Sequence, residues 1–413
     1  MNSAKSKLTV IFGRRRVGKT ALVMEHARKN SATSQVFYSQ AIEGAESLQV
    51  DQISQELFPL LPDIKVNTWL DFFKLLARTN QKCTVVIDEF PYLVRSQPSL
   101  PSILQKWLDH HCPEGMRLIL LGSSQTLMHD IFLKSSAPLY ERASEILHIK
   151  PLGYNYFCEA LRLDTASKES YLIYSMIGGI PKYWEFVEKG KSLLKLADEL
   201  YFEIGARLEY EPERVLKDEN IVGEQARSIL ELVGRGAVRP SEIASRLGIR
   251  QTSLSNPIQL LRDASLLERE IPFGESSRST KRSVYKIYDH CLSFWYTCYS
   301  PHRIRWSKYK DDMKLKIIQD HASLMFEKDF RSLFRDASRY WESEIEFDSV
   351  RYADESEDKI IVSEVKFKKL SSREKKNILD TTFEKFQKSQ LSRKFKAEIE
   401  AIGLDEGLKA LSS

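Results

Sequence analysis

The run Gly13-Arg14-Arg15-Arg16-Val17-Gly18-Lys19-Thr20 has the residue types and spacing of a phosphate cradle. The glycines let backbone N–H groups approach a polyphosphate, Lys19 can reach the β- and γ-phosphates, and the Thr20 hydroxyl can ligate Mg2+ at a helix N-terminus. The loop therefore predicts binding of a nucleoside triphosphate. Downstream, Asp88-Glu89 closes the apolar run Thr84-Val85-Val86-Ile87. Asp88 can hold Mg2+ through water, and Glu89 is placed to polarise a water for attack on the γ-phosphate, so the pair implies hydrolysis as well as binding. The plainer reading is two acids that cap a strand.

Two further groups bear on the same chemistry. The apolar run Leu118-Ile119-Leu120-Leu121 leads into Gly122-Ser123-Ser124-Gln125, where Ser123 or Ser124 is a candidate for sensing the γ-phosphate; a solvent-facing loop is the alternative. Arg142 could reach a γ-phosphate in cis or from a neighbouring subunit, or be an ordinary surface arginine. The guanine-selecting Asn-Lys-x-Asp string is not apparent, so ATP is expected rather than GTP. Far along the chain, Asp348 and Glu364 end or interrupt apolar runs, with Lys366 two residues beyond Glu364. The two acids could bind a divalent metal that activates water while Lys366 stabilises phosphate charge. Alternating acids and lysines on a solvent-facing strand would give the same string.

These groups need elements to position them. Leu8-Thr9-Val10-Ile11-Phe12 reads as the strand before the loop, and helical patterns over 21–29 and 101–112 alternate with apolar strands up to about 150, as in a parallel sheet covered on both faces. Residues 151–216 read as a small helical lid, interrupted by Gly178-Gly179-Ile180-Pro181, with Lys182 more readily solvated than on nucleotide. Within 217–300, a helix near 225–233, a second from Pro240 closed by Gly248, a third over 252–264 and two short strands at 266–271 and 283–287 form a winged-helix pattern. For double-stranded DNA, Gln251, Thr252, Ser253, Ser255 and Asn256 would enter the major groove, and Arg278, Lys281 and Arg282 on the wing would touch phosphate. Such modules also serve as packing or protein-contact surfaces. Residues 301–413 complete the chain with a Lys/Arg-rich helical stretch over 368–396.

The chain as a whole bounds these readings. Its 413 residues suffice for two to four domains, and a net charge of +5 is slight at that length. Five scattered cysteines include no Cys-x-x-Cys pair, which speaks against a disulfide framework or zinc knuckle and for a reducing, cytoplasmic setting. No signal region is read before the first strand and no apolar run approaches the ~20 residues needed to span a bilayer, so no membrane association is expected.

The strings Phe12 to Thr20, Ile87-Asp88-Glu89-Phe90-Pro91-Tyr92-Leu93, Gly122-Ser123-Ser124, Ala137-Pro138-Leu139-Tyr140, Gly178 to Tyr183, Val284 to Asp289 and Phe294-Trp295 together make the sequence resemble the archaeal-type P-loop ATPases of the broader AAA+ and signal-transduction ATPase group. The resemblance implies an α/β fold: a P-loop NTPase parallel sheet with helical lid, winged-helix domain and α/β nuclease-like C-terminal domain. Asp348, Glu364 and Lys366 match the Asp…Glu-x-Lys spacing of restriction-endonuclease-like domains, although Ser363 and Val365 stand where the family tends to Gly and Cys. Glu141 likewise replaces the glycine common before the arginine at 142. The expected activity is Mg2+-dependent ATP hydrolysis coupled to DNA work, in monomers or a homo-oligomer. An ATP-regulated DNA nuclease, or a non-hydrolysing nucleotide switch that recruits a protein partner, are the alternatives.

Overall fold

The computed structural model describes residues 7–30, 35–57, 66–78, 82–276, 278, 280, 282–287, 289–354 and 358–413. Compactness divides the chain into two units, Met1–Pro151 with Val215–Ile221, and Leu152–Arg214 with Val222–Ser413.

The first unit is built on five parallel strands, β1 (Leu8–Phe12), β2 (Gln35–Gln40), β3 (Cys83–Asp88), β4 (Arg117–Gly122) and β5 (Glu145–His148), in the order β2-β3-β4-β1-β5. Alternation along each strand feeds two layers. Val10, Val85, Ile87, Leu118 and Leu120 pack with Trp69, Phe72 and Leu104 on one face, and Ile11, Val86 and Leu121 pack with Val23 on the other. Burial on both faces explains why β3 is buried at every position and reads as a continuous apolar run. Helices Lys19–Asn30, Phe90–Ser96 and Gln125–Phe132 follow β1, β3 and β4, so their N-termini gather at the carboxyl edge of the sheet.

The second unit holds helices 154–161, 168–177 and shorter ones over the stretch read as a lid. Helices Glu224–Gly234 and Pro240–Leu247, a tight 3-10 turn Gln251–Leu254, helix Ser255–Asp263 and the antiparallel pair β6 (Leu267–Glu270) and β7 (Val284–Ile287) come next. This is the element order expected of a winged helix. The single helix expected over 252–264 is split into this turn and Ser255–Asp263, since Pro257 has no N–H to donate to the Ser253 carbonyl. Gly248 ends the second helix with φ +66, the left-handed conformation that glycine adopts without a Cβ penalty.

A second sheet follows, β8 (Ser338–Glu342), β9 (Ile345–Tyr352), β10 (Lys359–Val365) and β11 (Lys396–Ile402), in the order β11-β10-β9-β8. Only the β10/β11 pair is parallel, and helix Ser372–Lys388, opened by a Ser371/Glu374 capping box, makes its crossover. The helix expected over 368–396 is shorter, Ser372–Lys388, and a 3-10 turn Gln390–Arg393 leads from it to β11.

Compactness does not follow the four-part division at 150, 216 and 300. Phe273, just past β6, is buried with Tyr340, Phe347, Val350, Ile360 and Val362, and its N–H donates to the Arg339 carbonyl at 2.8 Å. The segment that follows β6 therefore packs into the core of the C-terminal sheet. Residues 215–221 pack instead with the first unit.

Candidate nucleotide site

The phosphate loop leaves β1 at Gly13, whose N–H donates to the Gly122 carbonyl at 3.3 Å. A Cβ at Gly13 would collide with the Ile149 carbonyl oxygen, and Gly18 sits at φ +103, so both glycines are required by the path of the chain. Lys19 is 5% exposed, and its Nζ donates to the carbonyls of Gly13 at 2.9 Å and Arg14 at 3.1 Å and to Ser123 Oγ at 3.0 Å. Burial pushes its pKa down, against the pull of Glu89 and Asp88.

Thr20 Oγ1 donates to Asp88 Oδ2 at 2.5 Å, and the Tyr38 hydroxyl donates to the same oxygen at 3.0 Å. The Glu89 N–H donates to Asp88 Oδ1 at 2.8 Å. Glu89 adopts φ +54, ψ +39 at the N-cap of Phe90–Ser96, a left-handed conformation that costs about 1 kcal/mol or more away from glycine. Ser123 Oγ donates to Glu89 Oε1 at 2.8 Å. Lys19, Ser123 and Glu89 are thus linked through one hydroxyl. The strand order explains it: β4 runs between β1 and β3, so the residue after β4 lies between the groups that follow the other two.

This donor set suits Mg2+. Thr20 and Asp88 offer hard oxygens, and Mg2+ is ordinarily held by one or two carboxylates with phosphate oxygens and water. No three His, Cys, Asp or Glu side chains among the described residues are grouped to hold a metal by themselves.

The structure separates the two serines. Ser124 caps helix Gln125–Phe132, accepting from the Leu127 N–H at 3.4 Å, and faces Glu219 rather than Lys19. Arg142 is not brought to the loop. It precedes β5, near Ser144, whose N–H donates to the carbonyl of Leu8 at the start of β1, while the phosphate loop follows the far end of that strand. There Arg142 Nε lies 2.9 Å from Asp109 Oδ1. A contact to a γ-phosphate in cis is thereby corrected.

Three contributors carry no sequence motif. Tyr38 reaches Asp88 because β2 and β3 are paired, Gln40 opposite Asp88. Asp218 Oδ1 pairs with Arg15 Nη1 at 2.7 Å, and Arg15 also donates to the Tyr92 hydroxyl at 3.2 Å. Glu219, 4% exposed, accepts from the N–H groups of Gln125 and Thr126 at 3.1 and 3.2 Å and from the hydroxyls of Thr126 and Ser124. Burial lifts its pKa to about 6 despite these donors. Arg14 is buried at 8% exposure, whereas Arg15 and Arg16 are exposed.

In the second unit, β9 and β10 bring Asp348 and Glu364 together. Lys366 Nζ lies 3.3 Å from Asp348 Oδ2 and 2.8 Å from Glu364 Oε1, and the Val365 N–H donates to Asp348 at 2.9 Å. Glu364 Oε2 is buried with no hydrogen-bond partner among the described residues. Burial and the Asp348 charge raise the pKa of Glu364, and the same causes lift Glu327, on helix Asp311–Ser332, to about 7. Glu327 stands beside the motif in sequence only as an acid on a helix, with no spacing to mark it.

Elsewhere, Lys182 pairs with Glu185 at 2.5 Å. Gln251, Thr252, Ser253, Ser255 and Asn256 are all exposed. Arg278 is exposed, Arg282 pairs with Glu275, and Lys281 lies outside the described residues.

Comparison with known proteins agrees with the first unit. A family model described as an ATPase domain predominantly from Archaea matches residues 1–187, and one described as Archaea bacterial proteins of unknown function matches 304–378. An uncharacterized protein of Methanocaldococcus jannaschii is 27% identical over 402 residues, 93% of this chain and 88% of that protein. The Walker-type ATPase of Pyrococcus abyssi shares the fold at a TM-score of 0.53 and 19% identity, over 70% of this chain and 90% of its own. Cdc6p of Pyrobaculum aerophilum is more distant, with a TM-score of 0.34 and 12% identity over 77% of this chain and 90% of that one. No helix among the described residues is long and apolar enough to cross a membrane. The loop, acidic strand end and parallel sheet thus all lie in the part of the chain, residues 1–187, that is similar to an ATPase domain found predominantly in Archaea.

Proposed function

We propose that the first unit binds ATP with Mg2+ and hydrolyses it. The observation that carries this reading is the hydroxyl link from Lys19 through Ser123 to Glu89, beside the Thr20–Asp88 contact. The loop N–H groups and Lys19 hold the phosphates, and Thr20 and Asp88 hold the cation, which supplies charge neutralisation. Glu89 accepts a proton from the attacking water, and Ser123 fixes the orientation of its carboxylate. Arg142, paired at the opposite sheet edge, would serve only from a neighbouring subunit, in a homo-oligomer.

We further propose that ATP turnover governs work on double-stranded DNA through the exposed face of Ser255–Asp263 and its preceding turn, in the cytoplasm, where five free cysteines are at home. The test is Mg2+-dependent turnover of wild type and Glu89→Gln, with and without duplex DNA. Turnover that falls in the variant while nucleotide binding persists supports hydrolysis, and stimulation by duplex supports the DNA role. Absent turnover with intact nucleotide binding overturns hydrolysis in favour of a switch that recruits a protein partner.

A nuclease reading is favoured by one observation, the orphaned Glu364 Oε2 beside Asp348 and Lys366. Asp348 and Glu364 would hold a divalent cation together with DNA phosphate oxygens, and Lys366 would face the developing phosphate charge. Metal-dependent DNA cleavage lost in Asp348→Ala, with ATP turnover unchanged, supports this reading; cleavage retained in the variant overturns it.

A further inference from the structure

The wing of the second unit is not free. Arg282 Nη1 donates to the Trp341 carbonyl at 3.1 Å and pairs with Glu275, and the Phe273 N–H donates to the Arg339 carbonyl. The turn between β8 and β9 therefore stands against the wing. Between that turn and the start of the exposed helical face lies a cavity of about 830 Å³, lined by Arg239, Ser241 and Gln251 on one wall and Trp341 and Ser343 on the other. A second cavity of about 340 Å³ continues it, sharing Arg239, Trp341 and Ser343.

The chemistry of this cleft is uneven in a telling way. Arg239 is exposed, and its guanidinium has no ion pair or hydrogen bond among the described residues. Trp341 lines both cavities and has the Arg339 guanidinium 5.7 Å from its ring centre, an arrangement that braces an aromatic surface. Of the acids that line the two cavities, Glu342, Glu344 and Glu346, Glu342 is engaged by the Gln390 N–H at 2.7 Å and Glu346 pairs with Arg339. A guanidinium with no acidic partner among the described residues and a braced indole lining one cleft, together with serine and glutamine, are the equipment that single-stranded nucleic-acid sites use: phosphate on the cation, base on the ring. The volume falls in the ~300–1,000 Å³ range of ligand pockets, enough for a short piece of unpaired strand and far too small for a duplex.

We propose that this cleft binds a single-stranded DNA segment, with a phosphate on Arg239 and a base stacked on Trp341. The proposal rests on the nucleic-acid reading of the second unit. It makes the β8–β9 turn part of the DNA surface, so that the module holds a strand that has left the duplex.

The experiment is fluorescence anisotropy of the full chain with a labelled oligo-dT strand and with a blunt duplex, using wild type, Arg239→Ala, Trp341→Ala, Trp341→Phe and the helix-face variant Asn256→Ala. Trp341→Ala should weaken oligo-dT binding about 5- to 150-fold, with Trp341→Phe restoring most of it. Arg239→Ala should weaken binding and lower the salt slope by about 1. Asn256→Ala, on the face proposed to meet duplex, should weaken duplex binding more than oligo-dT binding. Thermal melts confirm folding, and Arg239, being exposed, keeps the test open if a Trp341 variant is unstable. Oligo-dT binding in wild type that neither Arg239→Ala nor Trp341→Ala alters, or duplex binding with no oligo-dT binding, overturns the cleft while sparing the wider reading. Binding of neither DNA by wild type overturns both.

Discussion

Ser123 Oγ accepts from Lys19 Nζ at 3.0 Å and donates to Glu89 Oε1 at 2.8 Å, so the phosphate lysine and the acidic strand end share one hydroxyl. Glu89→Gln keeps the shape of the side chain but removes the proton acceptor, and turnover should fall about 10²- to 10⁴-fold with nucleotide affinity retained. Ser123→Ala should cost less, about tenfold, because Glu89 keeps its charge and loses only its anchor. Steady-state turnover beside equilibrium nucleotide binding checks both; a Ser123→Ala variant as active as wild type removes the hydroxyl from the mechanism.

Tyr38 is the companion test at Asp88. Its hydroxyl bonds the carboxylate that Thr20 also bonds, and burial together with the Asp88 charge pushes its pKa well up, so it remains a donor throughout the working range. A hydrogen bond to a charged group contributes about 1.5–3 kcal/mol. Tyr38→Phe should therefore raise the Mg2+ concentration for half-maximal turnover about tenfold or more, measured by Mg2+ titration at saturating ATP. An unchanged midpoint refutes this role.

Glu219 makes a prediction about stability. Its carboxyl, at about 6 against the ordinary 4.5, binds a proton more readily folded than unfolded. Its contribution therefore grows as pH falls through 6 and fades above it. Glu219→Ala strands buried N–H and hydroxyl donors at the start of Gln125–Phe132, at a cost of about 1–3 kcal/mol. The stability deficit of the variant should widen by about 1 kcal/mol between pH 7.5 and pH 5. Denaturant melts at the two pH values measure it; a deficit that narrows would reverse the assignment.

Glu270 behaves in the opposite sense. Burial alone would raise its pKa, but Lys286, Arg331 and Arg339 together draw it down to about 2. Its stabilisation is complete above 4.5 and is lost as pH falls through 2, and the gap between these values corresponds to about 3 kcal/mol. Glu270→Gln should melt well below wild type at pH 7 and approach it near pH 2. Thermal unfolding across that range decides the matter, and a constant difference would remove Glu270 from the acid transition.

Much of the nucleotide site is local, and local features are legible in a chain. The loop from Gly13 to Thr20 needs glycines where the backbone turns through positive φ and a lysine on the first turn of the helix, and Asp88-Glu89 needs a buried strand before it. The helices and short strands between 224 and 287 were equally readable, from periodicity, proline and glycine. What the chain could not show is everything set by non-local pairing. Strand order decided that Ser123 rather than Ser124 joins Lys19 to Glu89, and that Arg142 lies at the other edge of the sheet. The return of residues 215–221 placed Asp218 against Arg15 and Glu219 on Gln125, contacts more than ninety residues apart in sequence. The burial of Phe273 among β8, β9 and β10 set the wing, read as a phosphate contact or a packing surface, beside the C-terminal sheet, where Arg282 lines a cleft with Trp341. Sequence determines which groups can do chemistry because backbone conformation and periodicity are short-range; only the tertiary structure decides which of them meet, because that follows from how sheets and cores close over distant segments.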